Sequence, residues 1–391
     1  MQPEAPKAFR RMFLEGFRVH LPFAARMILR HVARHRMRAA ITIGGVGLSA
    51  AILLLAFFSL GATQEVVDHQ FRLADRQDVR IAFHEARGKD ALFDLRRLPG
   101  VRAAEPELEV PVRFVHGHRS RRAGISGLEE RATLHALLDR DLAHVALPRE
   151  GLLLSRKLAE ILGVRPGDDV EVFVLNGKKP VFSVPVESVV DEYLGMFAYA
   201  DLTRLSRWIG EEYAMTGARL AVADARAIGE ALKEVPAVAS VNFKARAVAS
   251  FQQSLEQSQH IFGTVLVLFA GAITFGVVYN TARISLAERA RELGTLSVLG
   301  FTDAEVRRVI EGESYLLAAL ALPPGLGAGA FFSWLLTRAF DTELFRFPFV
   351  LHRASILHTV AIVLFFTLLA NLLVRRRLRR LDMVEILKAR E

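Results

Sequence analysis

The chain has 391 residues, a formal charge of +9 and no cysteine, with a pI near 10.1 and a mean hydropathy of +0.27. The missing cysteines exclude a disulfide framework, a thiolate metal site and a cysteine nucleophile, and 52% hydrophobic residues exclude intrinsic disorder. Positive hydropathy beside 24% charged residues means that the apolar residues are gathered in blocks.

Residues 1–38 are basic and amphipathic, with nine Lys and Arg. Four runs without Asp, Glu, Lys or Arg follow, at 39–60, 261–278, 315–336 and 356–374, of 22, 18, 22 and 19 residues. A bilayer core needs roughly 20 helical residues, so each run reads as a transmembrane helix. The first begins too late and runs too long for a cleaved signal, and it reads as a retained anchor. Seven Lys and Arg follow residue 374, five lie in 279–314 and only three between the last two runs. That bias predicts both termini in the cytoplasm. Residues 61–260 then form a domain outside the cytoplasm. It holds 27 basic and 29 acidic residues, so the basic pI comes from the two terminal collars. Collars beside spans fix topology and meet anionic headgroups, and no nucleic-acid partner is expected.

The 61–260 segment has the alternation and turn signals of a globular domain. It contains an approximate repeat: Leu95-Arg96-Arg97-Leu98-Pro99-Gly100-Val101 resembles Leu232-Lys233-Glu234-Val235-Pro236-Ala237-Val238. Each copy ends a helical stretch (89–98 and 225–234), follows a strand-like run (78–83 and 218–222) and precedes another (101–115 and 238–243). These are two strand–helix–strand units able to share one small sheet. Between them, 155–162 reads as a helix, 170–175 and 181–190 as strands, and Asn176-Gly177 as a two-residue hairpin turn. Residues 128–210 are therefore expected to form an inserted, mostly β subdomain. The fold class is membrane α-helical, with four transmembrane helices and an α+β extracytoplasmic domain inserted between helices one and two.

Motifs for chemistry at a single site are missing. Gly88-Lys89 and Gly177-Lys178 lack the rest of a phosphate loop, and His84-Glu85 lacks the second His of a zinc-protease helix. His116-Gly117-His118 fits a hairpin turn better than a metal site, Ser155 and Ser285 have no base near them in sequence, and His358 reads as interfacial. No catalytic residue, no metal and no cofactor on this chain are expected.

The segment between the second and third spans is more informative. Residues 285–299 suit a short helix with Leu286, Ala290, Leu293 and Leu296 on one face and Glu288 and Glu292 on another. Gly300 suits a C-terminal cap, and Thr302-Asp303-Ala304-Glu305 a capping box that starts the next helix. By pattern alone this is either a solvated connector or a helix that docks on a cytoplasmic partner. In the third span, Pro323-Pro324-Gly325 predicts a kink or hinge, and Gly325 with Gly329 permits close helix contact.

Residues 285–300 and the helix after them resemble the FtsX-like domain of ABC transporter permeases of the MacB, LolC and LolE group. The ending Arg379-Arg380-Leu381-Asp382-Met383-Val384-Glu385-Ile386-Leu387-Lys388 resembles the same family's C-terminal signature. Residues 152–162 with Gly163-Val164-Arg165-Pro166-Gly167-Asp168 are similar to the periplasmic core domain of MacB-type permeases, as is the layout of one span, a large outer domain and three spans. The resemblance implies a MacB-like core domain at 61–260 and an FtsX-like permease domain at 261–391. It implies a non-catalytic subunit of the bacterial inner membrane, working as a homo- or heterodimer with a separate ABC ATPase that holds the ATP. The coupling helix would dock on that ATPase through Leu286, Glu288, Arg289, Arg291, Glu292, Leu293, Leu296 and Gly300. Pro323, Pro324, Gly325 and Gly329 would serve as hinge and packing residues. Export or extraction of a lipophilic substrate or lipoprotein is the expected work, with membrane lipid and a periplasmic adaptor or lipoprotein as further partners. The alternative is a mechanotransmitting regulator of a periplasmic or cell-wall enzyme, with nothing transported. Two departures from the family pattern stand out: a single permease domain, and no fused ATPase.

Overall fold

The computed structural model describes residues 23–139, 142–193, 195–298, 302–339 and 348–378. Contacts divide the chain into an α/β unit, built mainly from residues 56–264, and a helical unit, built from the described parts of residues 1–55, 265–330 and 353–391.

In the α/β unit the two predicted strand–helix–strand units appear as β1 (Val79–Arg87), α3 (Lys89–Arg97) and β2 (Val101–His116), then β8 (Met215–Val222), α6 (Ala225–Lys233) and β9 (Val238–Phe243). They interleave as β2-β8-β1-β9, with every pairing antiparallel. That order and connectivity make a split β-α-β, ferredoxin-like sheet. Ile81 and Leu220 from the sheet meet Leu92, Leu95, Ile228 and Leu232 from the two helices in one buried cluster. The alternating strands and the helical 3–4 spacing put these residues on facing surfaces.

Between β2 and β8 come β3 (Arg119–Leu128), β4 (Leu152–Ser155), α4 (Arg156–Leu162), β5 (Asp169–Val174), β6 (Val181–Val190), β7 (Phe197–Asp201) and α5 (Leu202–Trp208). The strand order β3-β7-β4-β6-β5-β2 closes on itself, because β3 also pairs with β2. The result is a six-stranded closed barrel around Val112, Phe114, Ile125, Leu154, Val172 and Val186. The inserted β segment expected at 128–210 lies within this barrel, which also takes in β3 and the second half of β2. Strand β2 serves both structures: Val101 to Glu107 pair with β8, and Leu108 to His116 with β3.

Two turns test the local reading. His116 pairs with Arg119 across Gly117, whose φ is +58°, the left-handed geometry a tight hairpin demands. The expected two-residue turn at Asn176-Gly177 is instead a five-residue loop, 175–179. Val174 N–H donates to Pro180 O at 3.1 Å, and both Gly177 and Lys179 are left-handed. Pro180 has no N–H, so the ladder ends there on its carbonyl alone.

The helices are α1 (Phe23–Arg34), α2 (Arg36–Val67), α7 (Lys244–Val298), α8 (Asp303–Ala339) and α9 (Arg353–Leu378). A π-helical turn, Asp68–Ala74, extends α2. Four helical stretches among the described residues are long and apolar enough to cross a membrane: Arg36–Ala74, Ile261–Glu288, Arg307–Ala339 and Arg353–Arg376. The separate short helix expected at 285–299 does not exist as such. Helix α7 has 55 residues and runs through the second span into that segment without a break. Apolar and charged stretches alternate along it, but no proline interrupts it, and the backbone ladder is indifferent to side-chain polarity. Helix α8 likewise passes through Pro323 and Pro324 as one helix.

Within the helical unit, α8 lies directly on α2. A Cβ at Gly325 would stand 2.6 Å from Gly47 O and 2.9 Å from Gly47 Cα, and one at Gly329 would stand 2.9 Å from Leu54 Cβ. The Gly325/Gly329 pair therefore packs against the chain's own α2.

Candidate functional site

The predicted docking segment is the last part of α7, and its root is held from several sides. Leu286 is 7% exposed and packs with Ala282, Ile310 and Val374. It is a core residue of the helical unit, because α8 and α9 already cover that face of α7. Glu288 is exposed, and its Oε1 accepts from Arg38 Nη2 at 2.6 Å. The backbone is helical through Arg289, Arg291, Glu292, Leu293 and Leu296, whose side chains lie outside the described residues, as does Gly300 altogether. Beyond them Thr302 opens α8 with half of the predicted capping box: its N–H donates to Glu305 Oε2 at 2.9 Å, but its Oγ1 donates to the same oxygen and does not accept from the Glu305 N–H, which bonds Thr302 O.

Three residues that sequence reasoning did not join meet at this root. Glu313 of α8 is 5% exposed, His31 of α1 7% and Ser285 of α7 1%. Ser285 Oγ donates to Glu313 Oε2 at 3.2 Å, and His31 Nδ1 lies 3.2 Å from Glu313 Oε1. A carboxylate held away from water needs such partners. One signal for Glu313 was available, an acidic residue two positions before an uncharged run. Its partners, 282 and 28 residues away in sequence, were not legible. Ser285, which has no base near it in sequence, serves as a hydrogen-bond donor.

In the α/β unit a second polar cluster surrounds the end of the π-helical turn. His135 Nδ1 lies 2.8 Å from Asp75 Oδ1, and Gln70 Nε2 donates to Asp75 Oδ2 at 3.1 Å. Burial pushes the Asp75 carboxyl up, but the His135 contact and charge, with Gln70 and Arg219, outweigh it and hold it down at about 2. Tyr199 Oη donates to Glu192 Oε1 at 2.9 Å. Burial pushes Glu192 up to about 7 against that hydrogen bond, with the Asp75 charge adding to the rise. Nearby, Glu107 bridges Arg80 and Arg219. His116 Nδ1 lies 3.3 Å from Leu162 O, and among the described residues no three His, Cys, Asp or Glu are placed to hold a metal.

Long apolar helices, an α/β unit and a polar-tethered helix end define a multi-pass membrane protein. Residues 264–383 match the FtsX-like permease C-terminal family, which bears out the resemblance drawn from 285–300. No curated protein matches. Among solved structures, the extracellular domain of the noncanonic ABC-type transporter YknZ from Gram-positive bacteria is 14% identical, covering 42% of this chain and 100% of its own, with a TM-score of 0.28. The periplasmic region of MacB from Actinobacillus actinomycetemcomitans is 13% identical, covering 49% of this chain and 97% of its own, with a TM-score of 0.32.

Proposed function

We propose that this chain is the transmembrane subunit of an ABC-type system, in which ATP hydrolysis on a separate ATPase chain drives movement of the α/β unit outside the cytoplasm. The observation that carries this reading is α7. A single 55-residue helix, about 80 Å along its axis at 1.5 Å per residue, begins at the last strand of the α/β unit, contains a span and ends in the FtsX-like coupling segment. A helix that runs on through the span is suited to pass a displacement from one end to the other. Its spans carry no row of charges to conduct a polar solute, which favours export or extraction of a lipophilic substrate or lipoprotein. A dimer, homo or hetero, would supply two such levers. The alternative reading, control of an envelope enzyme without transport, uses the same lever.

The test is co-purification from the native membrane. Wild-type chain should carry an ATPase with a phosphate-loop motif, and replacing Glu292 and Leu293 together should release it while the chain stays inserted. Retention of the ATPase by that variant overturns the coupling assignment. A lipid or lipoprotein captured with the complex supports transport, and a soluble hydrolase in its place supports the alternative. Thiol labelling of single cysteines, introduced near residues 5 and 388, checks that both termini face the cytoplasm.

A further inference from the structure

Thr281, Ser285 and Glu288 stand at i, i+4 and i+7 on α7, one stripe of that helix. Each is bonded to another helix, two of them to α2 and one to α8. Thr281 Oγ1 and Thr42 Oγ1 of α2 are 2.9 Å apart, Ser285 donates to Glu313 of α8, and Glu288 pairs with Arg38 of α2. Glu313 passes the connection on to His31 of α1. Beside it, α1 comes so close to α8 that a Cβ at Gly312 would stand 2.7 Å from Ile28 Cδ1. The stripe runs into the first residues of the predicted docking segment, 285–299.

We propose that Glu313 is a positioning residue for energy coupling. Through Ser285 and His31 it fixes the end of α7 to α8 and to the N-terminal helix α1, so that these helix ends answer the ATPase as one piece. The inference rests on the coupling reading above and adds α1 to the moving parts. A buried carboxylate suits the task. Ser285 and His31 engage its two oxygens separately, and parting either from a buried carboxylate gives up a hydrogen bond that water does not replace, so partial separation of the three helices costs more than parting an apolar contact. An ordinary amphipathic helix lying on the membrane needs no such tie to the bundle.

The experiment uses the full chain with its co-purified ATPase in nanodiscs, reading ATP turnover against ATP concentration, ATPase retention and the melting temperature of the complex. If wild-type chain retains no ATPase, the coupling reading fails and Glu313 is not at issue. If it does, Glu313→Ala and the milder Ser285→Ala are expected to retain the ATPase and the KM for ATP, while the permease-dependent part of kcat falls roughly tenfold for Glu313→Ala and less for Ser285→Ala. Glu313→Asp should recover part of it. Because the chain has no cysteine, Ile28→Cys with Gly312→Cys can be joined by the shortest reversible bis-methanethiosulfonate linker. Joining should restore kcat in the Glu313→Ala background, and a reductant should abolish the rescue. Unchanged kcat in Glu313→Ala, or lost kcat that the linker fails to restore, overturns the proposal.

Discussion

Lys244 Nζ donates to the main-chain carbonyl of Asp75 at 2.8 Å. Lys244 is the first residue of α7, and Asp75 caps the π-helical turn that ends the first long helix. Lys244 N–H also donates to Asp78 O at 3.0 Å, so α7 is fastened to the segment leading from that turn into β1. Lys244→Met keeps the aliphatic stem and the main-chain bond but loses the charged donor. It should destabilise the α/β unit by about 1–2 kcal/mol, seen as a lower midpoint in denaturant.

Glu192 gives a pH dependence of definite sign. Its carboxyl is raised from 4.5 to about 7 in the folded chain, so the folded state favours its protonated form. That contribution is complete below the unfolded value and is lost as the pH rises through about 7. Glu192→Gln should flatten the melting temperature between pH 5 and 8 and stabilise the chain at pH 8 by on the order of 2 kcal/mol. Asp75 works in the opposite sense. Held at about 2, it contributes stability above its unfolded value that is lost only as the pH falls through 2. A wild-type profile flat from pH 5 to 8 would contradict the assignment for Glu192.

Glu107 is 2% exposed and bridges two arginines, Arg219 buried beside it and Arg80 half-exposed. Glu107→Ala strands the Arg219 charge and should cost about 3–5 kcal/mol. The paired replacement Glu107→Leu with Arg219→Met should recover much of that loss, and a denaturant series on these two variants and the wild type separates the two effects.

Glycines in α8 should differ sharply from one another. At Gly325 a methyl group meets main-chain atoms of Gly47, which cannot swing aside, whereas at Gly327 nothing lies within 4 Å. Gly325→Ala should cost roughly 1–3 kcal/mol and Gly327→Ala nothing measurable, by thermal melting of the purified full chain in nanodiscs.

The interleaved strand–helix–strand units were legible because each is local: a strand of alternating residues, an amphipathic helix, and a second strand within about 40 residues. The barrel was only half legible. Its closure depends on β7 lying parallel to β3, and β4 parallel to β6, and parallel partners leave no turn in the sequence to announce them. Residues 261–278 and 285–299 of α7 are legible as a span and a short helix, but its first part, 244–260, and its continuity are not, because hydropathy changes along a helix that the backbone does not interrupt. Periodicity puts Leu286 on an apolar face without saying what covers it, and only the family resemblance made that face a docking face. Glu313 and His31 belong together only through the packing of helices far apart in sequence.

Strand β2 has 16 residues, hydrogen-bonded first into the four-stranded sheet and then into the barrel. A barrel joined by a loose linker would swing freely and take up any pull by tilting. This one is continuous with its sheet, so tilting it means tearing backbone hydrogen bonds out of β2. A cargo or partner gripped at the barrel would therefore load the sheet directly, and the barrel acts as a rigid handle on it.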